Sequence, residues 1–343
     1  MKSLISSGGL AALTISALLA MNCNCEKEAA EYIGPSDIEI TDGKMTPEVL
    51  LSFGRLSDPQ LSPDGKTILY GVSYTSIEDN RTCRNLFVVN VDGTSPRQLT
   101  KDGKSISCAR WTNGNTITYI QGGQIWKATV RGLSGDNPKL VKRTQLSNVP
   151  NGIGEFKLSP DEKSLMYISY VKSDVKTAKD SDPKLDKADA YVTEDLMYRH
   201  WDHWVTELPH TFVAKLGSEI TPDNSIDILA NEEKLYELPT EPHGGLEQLD
   251  WTPDGKYIAY SCKKKTGKEY AFSTNTEIYI YNVADGTCTV IPMGGGYDTN
   301  PVWSPDGKKI VWLSMARDGY EADKSRLMAA DFNNGEISNI RDL

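Results

Sequence analysis

Pro59–Tyr70 reads PQLSPDGKTILY: an apolar strand, a Ser-Pro-Asp-Gly corner and a second apolar strand. Proline presets φ for the first turn position and glycine takes the position of positive φ, so the corner reads as a tight β-hairpin. The pattern recurs at Glu155–Tyr167 (EFKLSPDEKSLMY), Gln248–Tyr260 (QLDWTPDGKYIAY) and Pro301–Trp312 (PVWSPDGKKIVW). A weaker copy, Cys108–Tyr119 (CARWTNGNTITY), has Asn113-Gly114 in place of Pro-Asp-Gly. The corners begin at Ser62, Thr112, Ser159, Thr252 and Ser304, at intervals of 50, 47, 93 and 52. Self-similarity with a period near 50 is the mark of four-stranded propeller blades. A pair of β-sandwiches would share the turn chemistry but needs no such period.

Later strands follow each hairpin: Asn85–Val91 then Arg97–Thr100, Gln124–Val130, Glu277–Val283 then Cys288–Pro292, and Arg326–Phe332. The long interval is explained by an insertion at about 173–209, after which Thr211–Ala214 and Ser225–Ala230 supply late strands of the third blade. The expected fold is all-β, a propeller with about five blades over 45–343 in an incomplete ring. One helix is predicted from Pro47 to Phe53, with Thr46 as N-cap, proline in the first position and Gly54 beyond its end.

Composition narrows the function. With 47 acidic and 37 basic side chains the net charge is -10, which opposes any phosphate-tracking surface, so nucleic acid is excluded as the expected partner. Lys263, Lys264 and Lys265 are read as a solvated turn. Residues 1–22 carry Lys2 and then an apolar run of about twelve residues, short of the ~20 that span a bilayer, and read as a cleaved signal peptide. Residues 23–44 read as a linker. Cys23 follows Leu19-Ala20-Met21-Asn22, a degenerate lipobox, so the exported chain is expected to be periplasmic or held at the outer membrane by a lipid on Cys23. Cys262 and Cys288 fall two strands apart in one sheet, a separation of ~9.5 Å that no disulfide bridges, and are expected to be free buried thiols.

Met45–Gly65 (MTPEVLLSFGRLSDPQLSPDG) resembles the lead-in to the propeller of prolyl-oligopeptidase-family serine peptidases of the dipeptidyl- and acylaminoacyl-peptidase kind. Asp195–Ala214 (DLMYRHWDHWVTELPHTFVA) is similar to the insertion those enzymes carry before a blade strand. The resemblance implies a propeller that admits short peptides to a Ser-Asp-His hydrolase domain with a Gly-x-Ser-x-Gly elbow. No two glycines in these 343 residues lie four apart, so the elbow does not occur in them, and His200, His203, His210 and His243 have no nucleophile to serve. A catalytic role is therefore not expected of this chain by itself. An exported binding propeller of the TolB type is the alternative, since it shares Ser-Pro-Asp-Gly repeats.

Two residues are singled out as a candidate site. Relatives hold the substrate's free α-amino group with a pair of acids from the propeller, and Glu194-Asp195 is the nearest match here. The competing reading makes Thr193 the cap of a short helix within Tyr191–Trp204, with both acids in its first turn and Leu196, Met197, Trp201 and Trp204 packed on it. Ser173–Asp189 is expected to be a mobile loop. His200 and His203 are three apart, yet no third ligand or supporting shell is evident, so neither a metal nor any other cofactor is expected. Gly294-Gly295-Gly296 lacks the Lys-Ser/Thr of a phosphate loop and reads as a turn between blades.

Overall fold

The computed structural model describes residues 31–196, 198–201 and 203–343; the expected signal peptide, Cys23 and Cys25 lie outside them. These residues build five four-stranded antiparallel sheets. The first contains β1 (Arg55–Leu61), β2 (Thr67–Ser76), β3 (Arg81–Asn90) and β4 (Arg97–Gln98), and the second β5 (Ile106–Trp111), β6 (Thr116–Gln121), β7 (Gln124–Arg131) and β8 (Lys139–Gln145). In the third, β9 (Glu155–Leu158) and β10 (Ser164–Lys172) are followed by the insertion, with β11 (Lys176–Thr177), β12 (Tyr191–Val192), β13 (Arg199–His200) and β14 (His203–Trp204). The sheet is then completed by β15 (Glu207–Lys215) and β16 (Ser225–Asp227). The fourth has β17 (Leu249–Trp251), β18 (Tyr257–Cys262), β19 (Glu277–Asn282) and β20 (Cys288–Val290), and the fifth β21 (Asp298–Trp303), β22 (Lys309–Ser314), β23 (Arg326–Asn333) and β24 (Glu336–Asp342). Before the first sheet, α1 (Pro47–Ser52) is capped by Thr46, whose hydroxyl accepts from the Val49 N–H at 3.3 Å.

Each full corner is wired the same way. The Ser62, Ser159, Thr252 and Ser304 hydroxyls donate to the aspartate two residues on, at 2.6–2.8 Å, and accept the N–H that opens the next strand, at 2.9–3.0 Å. The same aspartate oxygen accepts a further backbone N–H from Lys66, Lys163, Lys256 or Lys308. These bonds hold the Asp64, Asp161 and Asp306 carboxyls below the ordinary value, the serine hydroxyl contributing most. A depressed carboxyl stabilises the fold above its unfolded value, 3.8, and that contribution is lost as pH falls through the folded value. Glycine fills the left-handed position at 65, 255 and 307, but Glu162 occupies it in the third blade at φ 54.

The residue just before the corner joins one blade to the one before it. The Trp111, Trp251 and Trp303 indoles donate to the Gln60, Lys157 and Asp250 carbonyls, at 3.2, 3.4 and 3.3 Å. Beside them Arg110 pairs with Asp58 at 2.6 Å and Lys157 with Asp250 at 2.5 Å, while Asp250 also accepts the Trp303 N–H at 2.9 Å. Apolar clusters fill each successive gap: Leu69 and Val88 against Ile117 and Tyr119, Ile120 and Ile125 against Phe156 and Tyr167, Met166 and Val213 against Trp251 and Tyr260, Ile278 and Ile280 against Trp303 and Trp312.

Among the described residues no such cluster joins the fifth blade to the first. Leu61 stands where the other blades carry tryptophan or Leu158, and it is exposed, as are Val302, Leu313 and Leu327 on the far face of the fifth blade. The Tyr70–Phe87 stack, centroids 5.7 Å apart, lies on the corresponding open face of the first.

The insertion corrects several expectations. No helix forms across Tyr191–Trp204, because β12 pairs with β11 and β13 with β14, and the aromatic residues Tyr191 and Tyr198 stack on Trp204 across these ribbons. Thr193 caps nothing: its hydroxyl donates to the Asp195 carbonyl at 2.9 Å. Trp201 and Trp204 are exposed where partial burial was expected, and Met197 lies outside the described residues. The segment expected to be a mobile loop contains α2 (Ala178–Ser181), whose Thr177–Asp180 capping box closes its first turn.

Three outcomes follow from this architecture. Glu162→Gly should raise stability by about 0.5–1 kcal/mol by relieving a left-handed non-glycine, read as a higher melting temperature. Trp251→Phe should cost about 1–2 kcal/mol by leaving the Lys157 carbonyl without its donor, read by denaturant unfolding. The two open faces should bring copies of the chain together head to tail, measured by size exclusion with light scattering; Leu327→Lys should weaken the association, and a monodisperse, cooperatively melting monomer would contradict it.

Candidate functional site

The insertion, the 228–248 loop and α3 (Gly267–Phe272) converge on a buried carboxylate that the sequence reading missed. Glu237 is 5% exposed, and its Oε1 lies 2.6 Å from His200 Nε2. Its Oε2 accepts the Tyr270 hydroxyl at 2.5 Å and the Glu241 N–H at 3.2 Å, while Cys262 Sγ donates to its backbone carbonyl at 3.4 Å. Glu241 in turn accepts the Tyr170 hydroxyl at 2.8 Å. Burial, then Glu241, pushes the Tyr170 phenol up to about 12. Burial, then Glu237, pushes Tyr270 up as well. The hydrogen bond to Glu237 raises His200, and burial opposes it. Desolvation lowers Lys263, whose Nζ sits 3.9 Å over the Tyr270 ring.

This network explains several sequence readings. His200 and His203 face one another across a hairpin rather than sharing a helical face, and His200 is committed to Glu237. Among the described residues no group of three or more His, Cys, Asp or Glu side chains is arranged to hold a metal ion; Asp202 lies outside them. His210 belongs to β15, where its Nδ1 lies 2.7 Å from Asp227 of β16. The lysine run is not simply solvated: Lys264 pairs with Glu232 at 2.5 Å and covers the Tyr279 ring at 3.8 Å. Cys262 and Cys288 are both free, as expected, but only Cys262 is buried; Cys288 is exposed on the outer strand β20, with the Tyr260 hydroxyl 3.2 Å away. Gly294–Gly296 links the fourth sheet to the fifth, and a Cβ at Gly296 would overlap the Met315 carbonyl.

The residues flanking His200 and Tyr270 in the chain contribute to a shallow cleft of about 360 Å³ lined by Leu196, Tyr198, Arg199, Trp201 and Ala271. Trp201 is 75% exposed and meets the His243 ring edge-on at 4.8 Å. Glu194 and Asp195 sit in the exposed bend leading to this cleft. Asp195 Oδ1 accepts the Leu196 N–H at 2.8 Å, and its carboxylate fills the space that a side chain at Gly267 would need. The site therefore combines exposed aromatic surface, a guanidinium and solvent-facing carboxylates, a set able to hold a short peptide by its charged end and an apolar side chain.

No family model matches the chain. Dipeptidyl-peptidase 5 of Porphyromonas gingivalis is 41% identical over 321 residues, 91% of this chain and 46% of that protein, and the Porphyromonas endodontalis protein of the same name is 40% identical over 319. Over nearly its whole length the chain is similar to dipeptidyl-peptidase 5. It spans about half the length of the curated relatives it matches. Among solved structures, Pyrococcus horikoshii acylaminoacyl peptidase aligns with a TM-score of 0.53 at 17% identity, over 84% of this chain and 39% of that one. That likeness supports the propeller fold alone.

Glu237 and Tyr270 escaped the sequence reading because they lie 37 and 70 residues beyond His200, in segments outside the repeat. Removing the carboxylate would leave His200 and Tyr270 buried without their shared partner. Glu237→Ala should therefore cost about 3 kcal/mol and Tyr270→Phe about 1.5–2, both measured by equilibrium unfolding.

Proposed function

We propose that this chain is the substrate-gating propeller portion of an exported dipeptidyl- or acylaminoacyl-peptidase, admitting short peptides to a hydrolase portion that its 343 residues do not contain. The observation that carries the reading is the 41% identity to dipeptidyl-peptidase 5 across 91% of the chain, joined to the lack of any Gly-x-Ser-x-Gly elbow in the sequence. In this reading Glu194 and Asp195 hold the peptide's α-ammonium and the neighbouring cleft takes an apolar side chain. Export is through the apolar segment within residues 1–22, with Cys23 the residue that would carry a lipid anchor.

Two measurements test the reading. Purified residues 24–343 should release no chromophore from dipeptidyl or acylaminoacyl substrates and should not react with a fluorophosphonate; stoichiometric labelling of any serine would contradict it. In an enzyme that joins this propeller to a hydrolase portion, Glu194→Ala and Asp195→Ala should each lower kcat/KM by about 10-fold or more for free-amino substrates and leave blocked ones unchanged. Equal loss on both would remove the ammonium-binding role.

A further inference from the structure

Among its described residues the β13–β14 hairpin buries one side chain, His200. Arg199, Trp201, His203 and Trp204 are exposed, whereas His200 is inserted between the 237–241 loop and α3. The charged and titratable groups around it come from every neighbouring element. Glu237 and Glu241 approach from the loop, Lys263 from the end of β18 and Tyr270 from α3, with its ring 6.0 Å away; His203 of the hairpin itself lies at 6.1 Å.

We propose that His200 and Glu237 form a pH-sensitive tether that holds the hairpin against the cleft it lines when the imidazole is protonated and loosens it on deprotonation. A protonated imidazole sets a full positive charge against the Glu237 carboxylate at 2.6 Å, whereas a neutral imidazole keeps at most the hydrogen bond. Glu237 is 5% exposed and has donors of its own, Tyr270 and Glu241, on its other oxygen, so the carboxylate keeps partners when the imidazole is neutral while the hairpin loses its ionic hold. His200 is held above its ordinary value of 6.5, chiefly by this hydrogen bond. A raised value means that the stabilisation is complete below 6.5 and is lost as pH rises through the folded value. The hairpin is thus closed in mild acid and loosened in alkali, carrying Arg199 and Trp201 away from the cleft they line. The tether is a property of this chain and does not depend on which peptide, or whether any, occupies the cleft.

Amide hydrogen exchange across 198–206 in the whole chain, corrected for intrinsic rates, tests the tether. Protection should fall about tenfold between about pH 6 and pH 8.5. Glu237→Gln should make the protection independent of pH over this range, while His203→Gln should leave the titration in place. A flat profile in the unmodified protein, or an unchanged titration in Glu237→Gln, would overturn the proposal. Should that variant not fold, the ¹⁵N imidazole signal of His200 in the unmodified protein decides: a midpoint above 6.5 supports the tether, and one at or below 6.5 overturns it.

Discussion

The hydroxyl at the first position of each full corner organises the blades. It must be Ser or Thr because one small oxygen both donates to the aspartate inside the turn and accepts the N–H that starts the second strand. That double bond sets the register of the hairpin, and the register places the preceding residue against the neighbouring blade. Where this residue is tryptophan, a large apolar surface and a directional donor arrive together, so packing and hydrogen bonding select the same arrangement. The ion pairs Asp58–Arg110 and Lys157–Asp250 add a second connection along the inner strands.

The insertion follows different rules. It interrupts the third blade between its second and third strands, contains no Ser/Thr-Pro-Asp-Gly corner and docks through polar atoms: His200, Glu237, Tyr270, Glu241 and Tyr170. Buried polar contacts lose their strength when one partner is absent, so such a graft is specific in position yet sensitive to chemistry. The apolar clusters between blades do not titrate.

The fold was legible because its signal is periodic and local. Five corners announced five sheets, and the apolar strand on either side of each corner identified the core residues, from Leu69 in the first sheet to Trp312 in the fifth. The site was less legible for two physical reasons. Tyr191, Val192 and Trp204 prefer extended backbone, and ribbon pairing with stacked rings prevailed over the helix suggested by Thr193 and two following acids. Glu237 has no distinguishing neighbours in sequence, and only the meeting of the loop, α3 and the hairpin reveals it as the common partner of His200 and Tyr270. Cys288 shows the same limit on a smaller scale: its strand was foreseen, but its exposure depends on how the outer strand lies.

The central proposal is that this propeller governs peptide access in an enzyme of the dipeptidyl-peptidase 5 kind. The most direct measurement replaces the matched segment of the Porphyromonas gingivalis protein with residues 31–343 of this chain and compares kcat/KM for a free-amino dipeptidyl substrate with cleavage of a folded protein. Cooperative melting of the chimera serves as the folding control. The account predicts that the chimera cleaves the dipeptidyl substrate and spares the folded protein. A cooperatively folded chimera that is inactive on the dipeptidyl substrate, or that degrades the folded protein, would contradict it.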